Sequence, residues 1–144
     1  METQSYDNHR QVVPLFHRVL LPVLLLTLIG SFVNLYLSWG DHERLYSAAL
    51  ITVLTVALVM TALFARIFAL KAQDRAIRVE ESLRHFVLTG KPPDARLTIH
   101  QFTALRFASD SEFVALAKRA ADEGMKPDDI KRAIKQWRAD TYRV

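Results

Sequence analysis

The sequence predicts an all-α protein, in which a two-helix transmembrane hairpin precedes a cytoplasmic helical extension and a small helical bundle. Three observations lead to this prediction. Two uncharged apolar runs stand only seven residues apart, no Gly or Pro interrupts residues 45–89, and capping signals for three short helices follow. No segment shows the strand pattern of alternating apolar and polar residues.

The two apolar runs occupy residues 19–37 and 45–65. Because a bilayer core of about 30 Å requires about 20 helical residues, each run is long enough to cross it. The first run is too long for the apolar part of a signal peptide, and no small-residue cleavage pattern follows it. We therefore expect an N-terminal segment at 1–18, a transmembrane hairpin at 19–65 and cytoplasmic helices at 66–144.

The positive side chains predict the orientation of the hairpin. The connection between the runs carries one arginine, whereas Arg10 and Arg18 precede the first run and four Lys or Arg residues follow the second. Positive side chains near a span favour the cytoplasmic side, so both termini are predicted to be cytoplasmic. The predicted membrane-interface residues are Trp39, Tyr46, Arg66 and Lys71.

Small and hydroxyl side chains form one stripe along each apolar run. The predicted helix-packing or interaction residues are Thr27, Ser31, Asn34, Ser38, Thr52, Thr55 and Ala62. Such side chains let two helices approach closely in lipid, so they hold the hairpin together or pack it on a partner. A polar lining for a pore is the alternative, which the lack of a carboxylate in either run disfavours.

The second helix is predicted to continue into the cytoplasm, and we call its residues 66–89 the stalk. Apolar residues along it recur at the coiled-coil spacing of three and four, namely Ala69, Ala72, Ala76, Val79, Leu83 and Phe86. A helix with such a stripe requires a partner, which is either another copy of the chain or the helices that follow.

Capping signals predict the short helices after a break at residues 89–94. Thr98 with Gln101, and Ser109 with Glu112, both have the spacing of a capping box. The first of these pairs is expected to open a helix that ends at about Ala108.

A glycine and a proline mark the next boundaries. Gly124 is expected to end the second short helix, and Pro127 to open a third that continues to Trp137. The predicted shared core consists of Ile99, Phe102, Leu105, Phe107, Phe113, Leu116, Ile130, Ile134 and Trp137.

The reactive residues form no local motif, so no catalytic residue, metal site or cofactor is predicted. The chain has no cysteine, and its five histidines lack the HxxxH and HExxH spacings of metal sites. Haem bound by His17 and His85, both expected near the cytoplasmic face, is a minor alternative. The net charge of +4 suits anionic headgroups better than nucleic acid.

Six segments carry a family resemblance: NHRQVVPLFH, IGSFVNLY, RLYSAAL, RIFALKAQDRAIRVEESLRHFVLTGK, LTIHQFTALRFASDSEFVALAKRA and PDDIKRAIKQWRADTYRV. They resemble an uncharacterised family of small two-span bacterial membrane proteins, over nearly the whole chain. The resemblance implies a bacterial inner-membrane location and the same layout of hairpin and helices. It implies no activity, so no catalytic or binding residue is transferred.

The expected function is that of a non-catalytic accessory or assembly subunit of a larger membrane complex. The expected partners are the lipid bilayer, and other membrane-protein subunits or a second copy of the chain. A homo-oligomeric channel, lined by Thr52 and Thr55, is the alternative. Both expectations follow from the packing stripes and the unpartnered stalk.

Overall fold

The computed structural model describes residues 4–9 and 12–140, so Arg10 lies outside the described residues. The predicted all-α fold is confirmed. The helices are α1 (Leu21–Leu37), α2 (His42–Thr89), α3 (Ile99–Leu105), α4 (Asp110–Glu123) and α5 (Pro127–Ala133). The chain forms two compact units, a hairpin unit (Val12–Ala69) and a bundle unit (Met1–Gln11 with Leu70–Val144).

The hairpin unit contains α1 and the first half of α2. Two helical stretches, Leu15–Leu37 and His42–Thr89, are long and apolar enough to cross a membrane. The first begins as a π-helix, Leu15–Leu20, in which the turn is one residue wider than in an α-helix. Pro22 follows at the start of α1, and this wide turn accommodates a residue that has no N–H to donate.

A tight turn joins α1 to α2. Gly40 has a φ of 98°, which lies in the left-handed region that favours glycine. The Asp41 carboxylate accepts the backbone N–H of Arg44 at 3.3 Å and pairs with its guanidinium at 3.3 Å. Asp41 therefore satisfies one of the free N–H groups at the start of α2.

The bundle unit is built around one apolar core that α3, α4 and α5 share. Its most deeply buried large side chains are Leu105, Phe107, Phe113 and Ile130. The other core residues are Leu97, Phe102, Ala104, Ala108, Leu116, Ala117, Ala120, Ala121 and Ile134, with Trp137 packed against them. The prediction was wrong for Ile99, which lies beside the buried face of α3 that Gln101, Phe102 and Leu105 define.

Two helices end earlier than predicted. α3 ends at Leu105 rather than near Ala108, and α5 ends at Ala133, after which Ile134 is extended. The segments that follow pair as an isolated antiparallel bridge between Ala108 and Trp137. Their backbones form one hydrogen bond from Ser109 N–H to Gln136 O and another from Arg138 N–H to Phe107 O. This pairing satisfies the backbone groups that a longer helix would have used.

One of the two predicted capping boxes is present. Thr98 accepts the N–H of Gln101, and the Gln101 side chain accepts the N–H of Thr98, so this prediction is confirmed. The second is wrong, because the Ser109 side chain makes no cap bond. The Glu112 carboxylate instead accepts the N–H groups of Lys135 and Gln136, which have left α5.

α4 ends and α5 begins at the residues that the sequence predicts. Gly124 has a φ of 60° and caps α4, and Pro127 is the first residue of α5.

The loop before α3 is joined to α4 by Arg96, which contacts Asp122 and Asp94 at 2.7 Å each. Hydrogen bonds from the Arg96 side chain and N–H lower the pKa of Asp94 to about 2, so this pairing is lost only in strong acid.

Replacing Gln101 by Met is expected to destabilise the bundle unit by about 2 kcal/mol, because it removes the side-chain hydrogen bonds to two carbonyl oxygens and the Gln101 half of the capping box. The buried Gln101 amide donates to Met125 O at 2.9 Å and to Ala120 O at 3.2 Å. Circular dichroism of the purified chain in mild detergent should show a midpoint about 10 °C lower. The exposed Gln136→Met is the control, and an equal shift in both variants would contradict this role.

Candidate interaction surfaces

The interior of the hairpin is lined by small and hydroxyl side chains. Ser31 on α1 and Ser38 at its C-terminal end are buried, as are Ala48, Thr52 and Thr55 on α2. The Thr52 hydroxyl lies 3.1 Å from the Ser31 carbonyl oxygen on the opposite helix. Small side chains thus bring the two backbones close enough for a hydrogen bond between the helices.

The remaining predicted packing residues lie outside this interior. Thr27 and Asn34 are exposed on α1, and Ala62 is half-buried on α2. Thr27 and Asn34 are seven residues apart, so they share one face of α1 beside the hairpin contact. This pair forms an uncovered polar flank, which we call the hairpin flank.

Most hydroxyl groups in the hairpin donate a hydrogen bond to a nearby backbone carbonyl oxygen. Thr27, Ser38 and Thr55 each donate at 2.8 Å to the carbonyl oxygen four residues earlier in the same helix. Such bonds let hydroxyl residues occupy an apolar environment without a missing hydrogen bond. In contrast, the Asn34 amide makes no side-chain hydrogen bond to any residue that the structure describes.

The predicted membrane-interface residues are accessible. Trp39 and Tyr46, at the turn, are 80% and 71% exposed. At the other end of the hairpin unit, the Arg66 guanidinium lies over the Phe16 ring, 5.8 Å from its centre. Lys71 is exposed on the stalk. Aromatic rings at one end and long cationic side chains at the other are typical of helices anchored between two headgroup layers.

In the bundle unit, one arginine attaches the short helices to the stalk. The Arg84 guanidinium donates to the Ala108 carbonyl at 2.7 Å, and to the carboxylates of Asp110 and Glu81 at 2.7 and 2.9 Å. It also lies over the Phe113 ring, 4.3 Å from its centre. The side chains of Arg84 and Glu81 are only 11% and 6% exposed, so this is a buried ion pair with satisfied donors. The bundle therefore docks on the stalk.

The opposite face of the stalk is uncovered, and we call it the open stalk face. The bundle covers the side that carries Ile77, Glu81 and Arg84. At 100° per residue, the second half of the predicted coiled-coil stripe lies on the other side of the helix. Its large residues are Val79, Leu83 and Phe86, which are 69%, 62% and 52% exposed.

The N-terminal segment packs against the bundle, which the sequence analysis did not predict. The Tyr6 hydroxyl accepts a hydrogen bond from Arg132 at 3.2 Å, and the Arg132 guanidinium lies over the Tyr6 ring. The Gln4 side chain accepts the N–H of Asp140 at 2.8 Å. Residues 4–9, which precede α1, therefore contact residues that follow α2.

A cleft of about 280 Å³ lies beside the stalk in the bundle unit, and most of its charged side chains form ion pairs. Glu81 faces Arg138 at 3.7 Å, and Arg106 pairs with Asp140 at 2.9 Å. Of the described residues that line it, none carries a hydroxyl or an imidazole. This arrangement suits a structural ion-pair network.

The two histidines considered for haem both bond to the backbone. His17 Nδ1 lies 3.0 Å from the Val13 carbonyl oxygen, and His85 Nδ1 lies 3.0 Å from that of Lys91. His17 belongs to the hairpin unit and His85 to the bundle unit. Within residues 4–9 and 12–140, no three His, Asp or Glu side chains are grouped to hold a metal ion. Haem coordination by these two residues stays the minor alternative that it was in the sequence analysis.

Replacing Arg84 by Met is expected to destabilise the bundle unit by about 3 kcal/mol, because it leaves the Glu81 carboxylate buried with a weaker partner. Thermal unfolding in mild detergent measures the loss, and the exposed Arg78→Met is the matched control. Adding Glu81→Gln to Arg84→Met should restore part of the stability. If the double variant were less stable than Arg84→Met, the buried-charge explanation would be wrong.

No curated protein and no solved structure matches the chain. A model of a family of unknown function, DUF6526, matches residues 1–144, which is the whole chain. The resemblance to an uncharacterised family is thereby confirmed, and the chain belongs to the DUF6526 family.

Proposed function

We propose that this chain is a non-catalytic integral protein of the bacterial inner membrane, with both termini in the cytoplasm. In this proposal it acts as an accessory or assembly subunit of a larger membrane complex. The hairpin anchors it in the bilayer, and the hairpin flank and the stalk provide its contact surfaces.

The exposed apolar surface of the hairpin supports the membrane location. Leu26, Leu37, Val53 and Leu54 are each between 63% and 75% exposed, along two helices long enough to cross a bilayer. Apolar surface in water costs about 25 cal/mol per Å², so such helices are unfavourable without a covering layer. Lipid tails supply that layer, and the backbone groups are already satisfied within the helices.

The N-terminal segment supports the topology. Residues 4–9 precede the first span, and they contact residues 131–140, which follow the second. Segments in contact must lie on the same side of a membrane. The greater number of positive side chains flanking the two spans on this side supports its assignment as the cytoplasmic side.

The open stalk face is the observation that carries the interaction role. The stalk emerges into water in the proposed topology, so lipid does not cover Val79, Leu83 and Phe86. The bundle leaves this face uncovered, because it docks on the opposite face through the hydrogen bonds of Arg84. An apolar face kept open on a docked helix is typical of a protein-binding surface.

A channel has less support. The two threonines expected to line its path, Thr52 and Thr55, are buried inside the hairpin at 6% and 4% exposure. Their hydroxyls donate to backbone carbonyl oxygens of the same helix. A path between several copies would therefore run along the exposed faces of α2, where most residues are large and apolar and do not replace water around an ion.

The subunit proposal is tested by the composition of the native particle. We expect the tagged full chain, purified from its own membranes in mild detergent, to contain other membrane proteins in fixed stoichiometry by native mass spectrometry. The paired variant Thr27→Leu with Asn34→Leu should lose those proteins, whereas Ile29→Leu on a neighbouring face should keep them. A particle that contains only this chain would overturn the subunit proposal.

The topology is tested separately, because the chain has no native cysteine. We expect Glu43→Cys, beside the turn, to react with a membrane-impermeant maleimide in cells whose outer membrane has been permeabilised. Lys91→Cys, beyond the stalk, should react only after lysis. The opposite labelling pattern would place the turn in the cytoplasm and contradict the proposed orientation. A chain found in the soluble fraction would exclude the membrane location.

A further inference from the structure

We propose that the open stalk face binds the same face of a second copy of this chain, as a parallel two-stranded coiled coil. This inference rests on the membrane topology proposed above, and it names the partner of one contact surface. The hairpin flank then stays available for other subunits.

The spacing of the face fits a heptad. With Ala69 as an a position, the a positions are Ala69, Ala76 and Leu83, and the d positions are Ala72, Val79 and Phe86. Within the bundle unit, all five of these residues from Ala72 onward are exposed. Coiled-coil seams are built from such a and d residues, each of which inserts between four residues of the facing helix.

The charges beside the seam are complementary between two copies. Arg75 occupies a g position and Glu80 the e position of the following heptad. In a parallel coiled coil, a g residue faces the e residue of the next heptad on the partner helix, so each dimer would contain two Arg75–Glu80 pairs. Both side chains are exposed, and neither has an ion pair with any residue that the structure describes.

The proposed topology makes the parallel arrangement the available one. α2 is a single helix from His42 to Thr89, and every copy in one membrane has the same orientation. The stalks of neighbouring copies therefore run in the same direction, whereas antiparallel pairing would require one copy to be inverted. Anchoring in a shared membrane also raises the effective concentration of the second stalk, which favours a seam of less than three heptads.

The bundle covers a different side of the stalk, and only the edge of the open stalk face, at Ala76 and Glu80, also lines the cleft beside the bundle. The bundle covers Ile77 and Arg84, at b positions, and Glu81, at an f position. The b, c and f positions point away from the seam in a two-stranded coiled coil. Each stalk can therefore hold its own bundle on the outside and meet its partner on the inside.

The alanines set the shape of the proposed contact. Ala72 and Ala76 carry only a methyl group, so the two backbones approach closely there. The larger Val79, Leu83 and Phe86 follow toward the end of the stalk, where they bury most of the apolar surface. Burial of these three residues in both copies is the main driving force.

Disulfide cross-linking in native membranes tests the contact, with the full chain carrying one cysteine at a time. We expect Val79→Cys and Phe86→Cys, both at d positions, to form a cross-linked dimer under mild oxidation, because facing d residues are close enough for a disulfide. Arg78→Cys, at an exposed c position, is the matched control and should remain largely monomeric. Copies with two different tags identify the product as a dimer of this chain.

Charge reversal gives a second, independent test. Arg75→Glu alone should weaken dimerisation in detergent roughly fivefold, because two attractive pairs become repulsive. Glu80→Arg alone should have a similar effect, and the double variant should restore wild-type dimerisation. Arg75 does not line the cleft beside the bundle, so Arg75→Glu should leave the thermal midpoint of the bundle unit unchanged. Glu80 does line it, so the midpoint of Glu80→Arg is measured alongside its dimerisation.

Each outcome has a distinct meaning. Equal cross-linking at Arg78→Cys and Val79→Cys, or no restoration in the double charge variant, would overturn the dimer. Cross-linking of Val79→Cys to a different protein alone would also overturn it, in favour of a heterologous partner. A dimer that contains no other protein would support this inference while contradicting the subunit proposal, so the two failures are distinguishable.

Discussion

The buried guanidinium of Arg84 is the contact on which the organisation of the bundle unit depends. It satisfies the Ala108 carbonyl at the point where α3 has ended, meets Asp110 at the start of α4, and covers the Phe113 ring in the core. The planar, permanently charged group suits these simultaneous contacts, which a lysine would not reproduce. One side chain on the stalk therefore joins the end of one short helix to the beginning of the next.

This attachment has a consequence for the surface of the stalk. A helix about 10 Å across cannot be covered on all sides by seven- and fourteen-residue helices on one flank. Once Arg84 and Ile77 face the bundle, the residues half a turn away are necessarily open to solvent. The chain places Val79 and Phe86 there beside the charged Arg75, so the apolar character of the open stalk face is a property of the sequence and not an accident of docking.

Signals between neighbouring residues predicted much of this structure. The features that were not predicted depend on contacts between residues that are far apart in the chain. The uninterrupted α2, the Thr98–Gln101 box and the Gly124 cap depend on neighbouring residues, so they are visible in sequence. The early end of α5 is not, because Trp137 lies in a bridge to Ala108, 29 positions away in the chain. Glu112 likewise had the correct spacing for a cap, but a distant pair of N–H groups binds its carboxylate.

The candidate surfaces also combine features that spacing predicts with features that depend on distant contacts. Spacing correctly grouped the stalk stripe, yet it could not decide which helices would cover which side of α2. That depended on Arg84, whose role needs partners more than 20 residues away. The packing of Tyr6 and Gln4 on the bundle was equally hidden, since a short polar segment has no periodicity to interpret.

In the proposed dimer, the mixture of small and large seam residues also determines the register. A slip of one heptad would place Ala72 opposite Val79 and Ala76 opposite Leu83, so small residues would face large ones along the seam. The same slip would bring Phe86 beyond the end of the partner stalk and separate Arg75 from Glu80. The bulky residues therefore supply affinity while the charged pair favours one alignment, as e and g charges do in coiled coils. The alanines near the membrane bury little apolar surface, so the alignment depends mainly on the larger residues and the charged pair farther along the stalk.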